Sequence, residues 1–210
     1  MNEYSFLFAI AAALLGGAMS PGPSFLVVAQ NSLSKSRLHG VVTAIGTGLG
    51  AGFFALLAGL GVTALLEQTP TVYFVFRLAG GVYLIYLAFI IWKGATQPLV
   101  SSVESEQSNG VGLLGSLAKG FAVQVSNPKT VFIIASIFSA AMPAQPPSYT
   151  ALLVTLIAFV IDFAWYALVA LSLSKESSKR FYQKTKVYFD RFAAILLVAL
   201  GCKLFWDLTF

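Results

Sequence analysis

Two short segments carry residues that do not belong inside an uninterrupted membrane helix. Residues 20–23 read "SPGP" and residues 126–129 read "SNPK". Pro21, Pro23 and Pro128 have no N–H group, and each ring clashes with a carbonyl one turn earlier. In the first segment the carbonyls around Gly17–Met19 therefore lose their helical donors, which hydrocarbon cannot replace. Such a break is tolerable only against protein or a water-filled cavity. Gly22 lets the chain turn, and from Pro23 a new half-helix can start with its N–H groups and positive dipole end facing that cavity. The second segment can do the same from the other side, with Asn127 offering a donor and an acceptor. A carboxylate between two half-helix N-termini is the natural guest. The bland alternative at each place is a simple proline kink that shapes the bundle.

Other polar groups lie close to the breaks. Ser20 and Ser24 flank the first, and Gln124 and Ser126 precede the second; a serine can also bond back to its own helix. Two charges lie at membrane depth, Lys129 after the second break and Asp162 in "FVIDFAWYA". Ionisable residues there cost about 2.5–3.5 kcal/mol on insertion scales and mark function by default. Asp162 is read as the proton-coupling carboxylate or as partner to a substrate ammonium. The alternatives are that it neutralises Lys129 or bonds a neighbouring helix, and that Lys129 snorkels.

The elements that position these groups follow from hydropathy. The 210 residues are 58% apolar and only 10% charged, with a mean hydropathy of +0.83. A soluble domain of this size could not cover such a surface. Six apolar blocks, at about 4–28, 41–66, 72–92, 117–142, 149–173 and 189–210, each approach the roughly 20 residues needed to span a bilayer. The fold class is an all-α polytopic membrane protein. The first block is too long for a cleaved leader and lacks its basic start, so it is expected to be a retained helix. The second contains Gly46-x-x-x-Gly50 and Gly48-x-x-x-Gly52, small-residue faces that allow close helix packing against the broken helix. Its "GTGLGAG" has neither the lysine nor the preceding strand of a phosphate loop.

Charge predicts orientation. Ten of the 13 Lys and Arg residues fall in the loops after blocks one, three and five, which the positive-inside rule assigns to the cytoplasm, leaving both termini outside. The run 175–191 is read as topology anchoring against anionic headgroups. Internal similarity predicts a repeat. "RLAGGVYLIYLAFIIWK" at 77–93 and "RFAAILLVALGCKLFWD" at 191–207 share an initial Arg, small third and fourth residues and a Trp at the sixteenth. A single membrane domain, 1–210, would then consist of repeat 1 (about 1–95), a linker (about 96–116) and repeat 2 (about 117–210). With three spans each, the halves would be inverted, and helices one and four, broken at the proline motifs, would occupy corresponding positions.

Several functions are disfavoured. The net charge of +5 is explained by loop topology and not by nucleic acid. A transmembrane thiol-reductant conductor needs paired thiols, and Cys202 is alone. A heavy-metal exporter wants clustered His, Cys or carboxylates, and the chain has one His, in its first basic loop. No nucleophile–base set and no H-E-x-x-H motif suggest an enzyme, and nothing calls for a cofactor or a bound metal.

With these residues laid out, "SPGPSFLVVAQNSLSKSRLHGVVTAIGTGLGAGFFALLAGLGVTALL" (20–66) resembles the N-terminal signature of the lysine-exporter and homoserine/threonine-resistance (LysE/RhtB) family. "RLAGGVYLIYLAFIIWKG" resembles that family's third helix, and "KGFAVQVSNPKTVFI" (119–133) its fourth. The resemblance covers essentially the whole chain. It implies an exporter of amino acids or close derivatives in the bacterial inner membrane, driven by protons, with membrane lipid as its surroundings and a homo-oligomer compatible with it. By position, Pro21, Gly22, Pro23, Asn127, Pro128 and Lys129 match the family's two signature breaks. Ser24 stands where many members carry Asn or Asp, and Ser36 replaces a common glycine; these departures bear on which amino acid is carried.

Overall fold

A computed structural model describes residues 5–68, 70–96, 112–143, 146–172 and 176–209, and all regular structure among them is helical. Eight helices follow in order: α1 Ser5–Met19, α2 Pro23–Ser34, α3 Arg37–Gln68, α4 Pro70–Gly94, α5 Leu113–Val125, α6 Pro128–Ala141, α7 Thr150–Ser172 and α8 Glu176–Thr209. The excess over six apolar blocks comes from the prolines. The first block is α1 and α2, bent by 60° at "SPGP", and the fourth is α5 and α6, bent by 61° at "SNPK". Pro23 and Pro128 each stand at the start of a half-helix, where a missing N–H costs nothing.

By length and composition, α3, α7 and the two bent pairs can each cross a membrane. The protein is a polytopic helical membrane protein. Helices run further than the apolar blocks. The expected first loop is mostly helix, with only Lys35 and Ser36 between α2 and α3. The sixth block continues backwards through the basic run to Glu176. Hydropathy marks where lipid begins, whereas a helix ends only where its backbone finds other partners. Of the expected linker at 96–116, residues 97–111 lie outside the described residues, and Leu113–Ser116 already belong to α5.

Lipid tails are as apolar as leucine, so helices in a bilayer associate through close packing and hydrogen bonds. The glycines of α3 provide the packing. A Cβ on Gly46 would lie 2.1 Å from the Leu117 carbonyl oxygen of α5, and one on Gly120 of α5 would lie 2.2 Å from the Thr43 carbonyl oxygen of α3. The two backbones touch through reciprocal glycines. Gly50, one turn further on the same face, would strike the Cβ of Gln124 at 2.7 Å. Gly48 and Gly52 point the other way, against Phe159, Phe163 and Thr155 of α7. One glycine series thus faces α5, the first half of the second broken helix, and the other faces α7.

The remaining contacts close the bundle. α4 packs on α8, where Gly201 allows approach to Ile85 and the Gly81 carbonyl. The core between α1, α3, α4, α6, α7 and α8 is centred on Ile10, Leu84, Ile137, Phe138, Val154 and Leu197. Lys186, expected at lipid headgroups as part of the basic run, is instead only 7% exposed. Its Nζ donates to the carbonyls of Gly94 (2.8 Å) and Ala95 (3.3 Å) and pairs with Asp190 at 2.7 Å. It caps the C-terminal end of α4, where carbonyls lack helical donors. Arg191 adds a second tie, 5.2 Å above the Trp92 ring.

Gly46→Ala is expected to force α3 and α5 apart at the cost of at least the roughly 1–3 kcal/mol typical of overpacking. Gly61→Ala, with nothing within 4 Å of its new Cβ among the described residues, should not destabilise, because alanine favours a helix over glycine. Thermal unfolding of both variants in detergent checks this: the first midpoint should fall, and the second should stay at or above the wild-type value.

Candidate functional site

The breaks at "SPGP" and "SNPK" meet one another. Lys129, in the first turn of α6, donates from Nζ to the carbonyl of Ser20 at 2.8 Å, across 109 residues of sequence. One carbonyl freed by the first break is therefore satisfied by the lysine that follows the second. Lys129 does not pair with Asp162, and neither snorkelling nor mutual neutralisation describes it here.

The two half-helix N-termini differ. At α6 the donors are all engaged: Pro128 has none, Lys129 N bonds Asn127 Oδ1 at 3.0 Å, and Thr130 N and Val131 N bond the Asn127 carbonyl at 3.1 and 3.3 Å. Asn127 is an N-cap in the ordinary sense. The expectation that this end presents open N–H groups is thus replaced by a capped helix. At α2 the N-cap position is Gly22, with no side-chain cap. Its φ of −152° and ψ of −167° are extended backbone, open to any residue, so a left-handed turn is not why glycine stands there. A Cβ on it would reach Lys129 Cδ at 3.7 Å and Nζ at 3.8 Å, ordinary contact. Its absence leaves the Lys129 ammonium and the uncapped end of α2 facing the same space.

That space is a cavity lined by α1, α3, α5, α6 and α7 together with Gly22. Polar groups on its wall include Gln124, Asn127, Lys129, Thr130, Asp162 and Tyr166, against an apolar side formed by Leu14, Ala51, Ile133, Ile134, Ala158 and Ile161. A few polar groups converging on apolar walls is the usual make-up of a small-molecule site.

A continuous chain of hydrogen bonds runs behind the wall. Asn127 Nδ2 donates to Ser24 Oγ at 3.3 Å, Ser24 Oγ donates to Gln124 Oε1, and Gln124 Nε2 donates to Asp162 Oδ1 at 3.0 Å. Thr47 of α3 lies beside this chain, with its hydroxyl donating to the Ala44 carbonyl at 3.0 Å. The other oxygen, Asp162 Oδ2, is buried with no hydrogen-bond partner among the described residues. An unmatched acceptor on a buried carboxylate invites a proton or a cationic group.

The sequence-selected residues Ser20, Pro21, Gly22, Pro23, Ser24, Gln124, Asn127, Pro128, Lys129 and Asp162 come together around this one place, and Gly50 makes room for Gln124. Thr47, Thr130 and Tyr166 were not selected. Each is one of several uncharged polar residues in an apolar helix, and only its neighbours distinguish it from the others. The Lys186–Asp190 pair was also missed, although an i, i+4 pair on one helix was open to inspection.

The chain matches the family described as "LysE type translocator" over residues 15–208. It is 29% identical to an uncharacterized membrane protein of Haemophilus influenzae, over 92% of each chain. Identity to the threonine efflux protein of Escherichia coli is 26%, over 89% of this chain and 90% of that one. With the homoserine/homoserine lactone efflux protein of Salmonella typhimurium it is 25%, over 76% and 75% respectively. No solved structure matches the chain significantly.

The cap is the element of the site whose contribution can be weighed directly. Asn127→Ala is expected to destabilise the fold by about 1 kcal/mol, the usual worth of an N-cap. Chemical denaturation in detergent measures it, with Ser34→Ala, which removes only an exposed bond to the Gln30 carbonyl, as the neutral comparison.

Proposed function

The chain belongs to the LysE-type translocator family, and from that premise we propose that it exports a zwitterionic amino acid in exchange for protons. The observation that carries this reading is a single cavity bearing the Lys129 ammonium and the partnerless Asp162 oxygen on its walls. The substrate carboxylate meets Lys129 and the uncapped N-terminus of α2, where ammonium and helix dipole act together. The substrate ammonium meets Asp162 Oδ2. A carboxylate that holds either an ammonium or a proton, and not both, makes the two ligands compete, which is the requirement for exchange. The names of the threonine and homoserine efflux relatives favour a neutral amino acid, and the apolar side of the cavity suits an uncharged side chain.

The transport cycle follows from the two breaks. Both termini lie outside the bacterial inner membrane, with the basic loops in the cytoplasm. Two inverted three-helix units rock about the cavity. In support, α3 packs on α7 and α4 on α8, the pairs that a two-fold axis would carry onto themselves, and α1–α6 contact has its counterpart in α2–α5. The α4–α6, α1–α8 and α2–α3 contacts have no comparably extensive counterparts among the described residues, as expected of a protomer resting in one of its two asymmetric states.

Efflux of radiolabelled threonine and homoserine from proteoliposomes, with and without an imposed proton gradient, tests the reading. Wild-type efflux should accelerate with the gradient, and Asp162→Asn should lose that response. Gradient-driven efflux that survives the substitution would sink the coupling role, and resistance of overexpressing cells to a metal but to no amino acid would sink the class. Gly22→Ala fits without strain but fills the approach to α2. It should therefore retain normal abundance while raising KM roughly tenfold, equivalent to about 1.4 kcal/mol of lost binding.

A further inference from the structure

The direction of each hydrogen bond behind the cavity is not free. An ionised carboxylate can only accept, so Gln124 must turn its amide nitrogen towards Asp162 and its oxygen towards Ser24. Ser24 then spends its single proton on Gln124 and has only lone pairs left for Asn127. Asn127 must therefore offer Nδ2 to Ser24, which turns Oδ1 towards the Lys129 N–H and completes the cap on α6. One charge at Asp162 sets the polarity of every link up to the second helix break.

We propose that Ser24, Gln124 and Asn127 are positioning residues that relay the charge state of Asp162 to the N-terminal cap of α6. This rests on the reading of Asp162 as the proton-binding carboxylate. A proton taken from cavity water by Asp162 Oδ2 leaves a neutral carboxyl, and a half-turn of that group brings the new O–H to Gln124, where it donates instead of accepting. The charge-assisted bond that held Gln124 is lost, and the amide can reverse. A reversed Gln124 donates to Ser24, whose hydroxyl then donates to Asn127, and Asn127 must present Oδ1 to receive it. That flip places Nδ2 against the Lys129 N–H, donor against donor, and the cap is lost. Proton loading on α7 thereby releases the first turn of α6, at the bend that an alternating-access cycle has to reshape. Glycines make the link possible, since Gly50 admits Gln124 between α3 and α7.

The surroundings leave few competitors for this role. Among the described side chains, Lys129 and Tyr166 are the titratable groups that share the cavity with Asp162. α1 and α2 carry none. α3 brings Arg37 and His39 in its first turn, about 12 Å of helix before Thr47, and α5 brings Lys119 in its second. On α8, Lys186 and Asp190 act electrostatically on Lys129, and are tied to each other and to the end of α4.

The test needs no substrate. Full-length protein in nanodiscs, labelled with [15N]lysine and [13C]aspartate, is titrated by NMR. The Lys129 amide is assigned from Lys129→Arg and the Asp162 carboxyl from Asp162→Asn. In the wild type the Lys129 amide should move with the same midpoint as the Asp162 carboxyl. In Ser24→Ala, a near-isosteric change, Asp162 should still titrate while the Lys129 response falls at least threefold, and Ser24→Thr, which keeps the hydroxyl, should restore it. A wild-type Lys129 amide that stays still while Asp162 titrates overturns the relay. So does a Ser24→Ala amide that follows as in the wild type, because the effect is then carried through space. In both cases proton coupling at Asp162 stands. An Asp162 that never titrates removes the coupling reading itself, and the relay with it.

Discussion

A backbone carbonyl or amide inside hydrocarbon has no water to turn to, and each one left open costs several kcal/mol. A chain that places prolines in the middle of two membrane helices must supply partners from elsewhere in the protein, and this requirement organises the rest of the bundle. Lys129 reaches from the second break to the Ser20 carbonyl at the first. Asn127 turns back to cap the helix that Pro128 begins. The repair of one break is thus anchored in the other, so a change of angle at either must be felt at both.

That anchoring depends on how closely the helices approach. α3 has no bulky side chain at Gly46 and Gly50, and α5 has none at Gly120, so their backbones come into direct contact. Gln124 is carried into the space above Gly50, within reach of Ser24 on one side and Asp162 on the other. In a bilayer an interhelical hydrogen bond contributes about 0.6 kcal/mol on average, too little to dictate the packing by itself. The steric fit of glycine against carbonyl holds the helices, and the hydrogen bonds select which polar groups face each other.

The same logic explains why a carboxylate can remain buried at the cavity with one oxygen unmatched. A structural aspartate would be expected to have both oxygens satisfied. Asp190 also has a partnerless oxygen, but its other oxygen is locked to Lys186, whose remaining protons hold the end of α4. Asp162 pairs with no cation among the described residues and opens on a cavity that it shares with Lys129. The two buried carboxylates therefore differ in what can still reach them, and that difference separates a binding group from a tie between helices.

Membrane class, helix breaks and the glycine faces of α3 were legible in the chain because each is a local matter. Apolar length decides what enters a bilayer, a proline interrupts a helix wherever it stands, and residues four apart share a face. Boundaries at the basic segments were less legible, since helices continue past the apolar stretch. The selection of Lys129 and Asp162 also came from local rules, because a charge in an apolar run is conspicuous. What those charges touch was beyond the sequence. Lys129 finds a carbonyl 109 residues away, Asp162 finds an amide 38 residues away, and Lys186 is buried instead of meeting headgroups. Only the packed bundle decides that the Lys129 ammonium comes up against Gly22, which gives the N-terminus of α2 no side-chain cap. The reason is that satisfaction of a polar group belongs to a pair, and the chain names one member at a time.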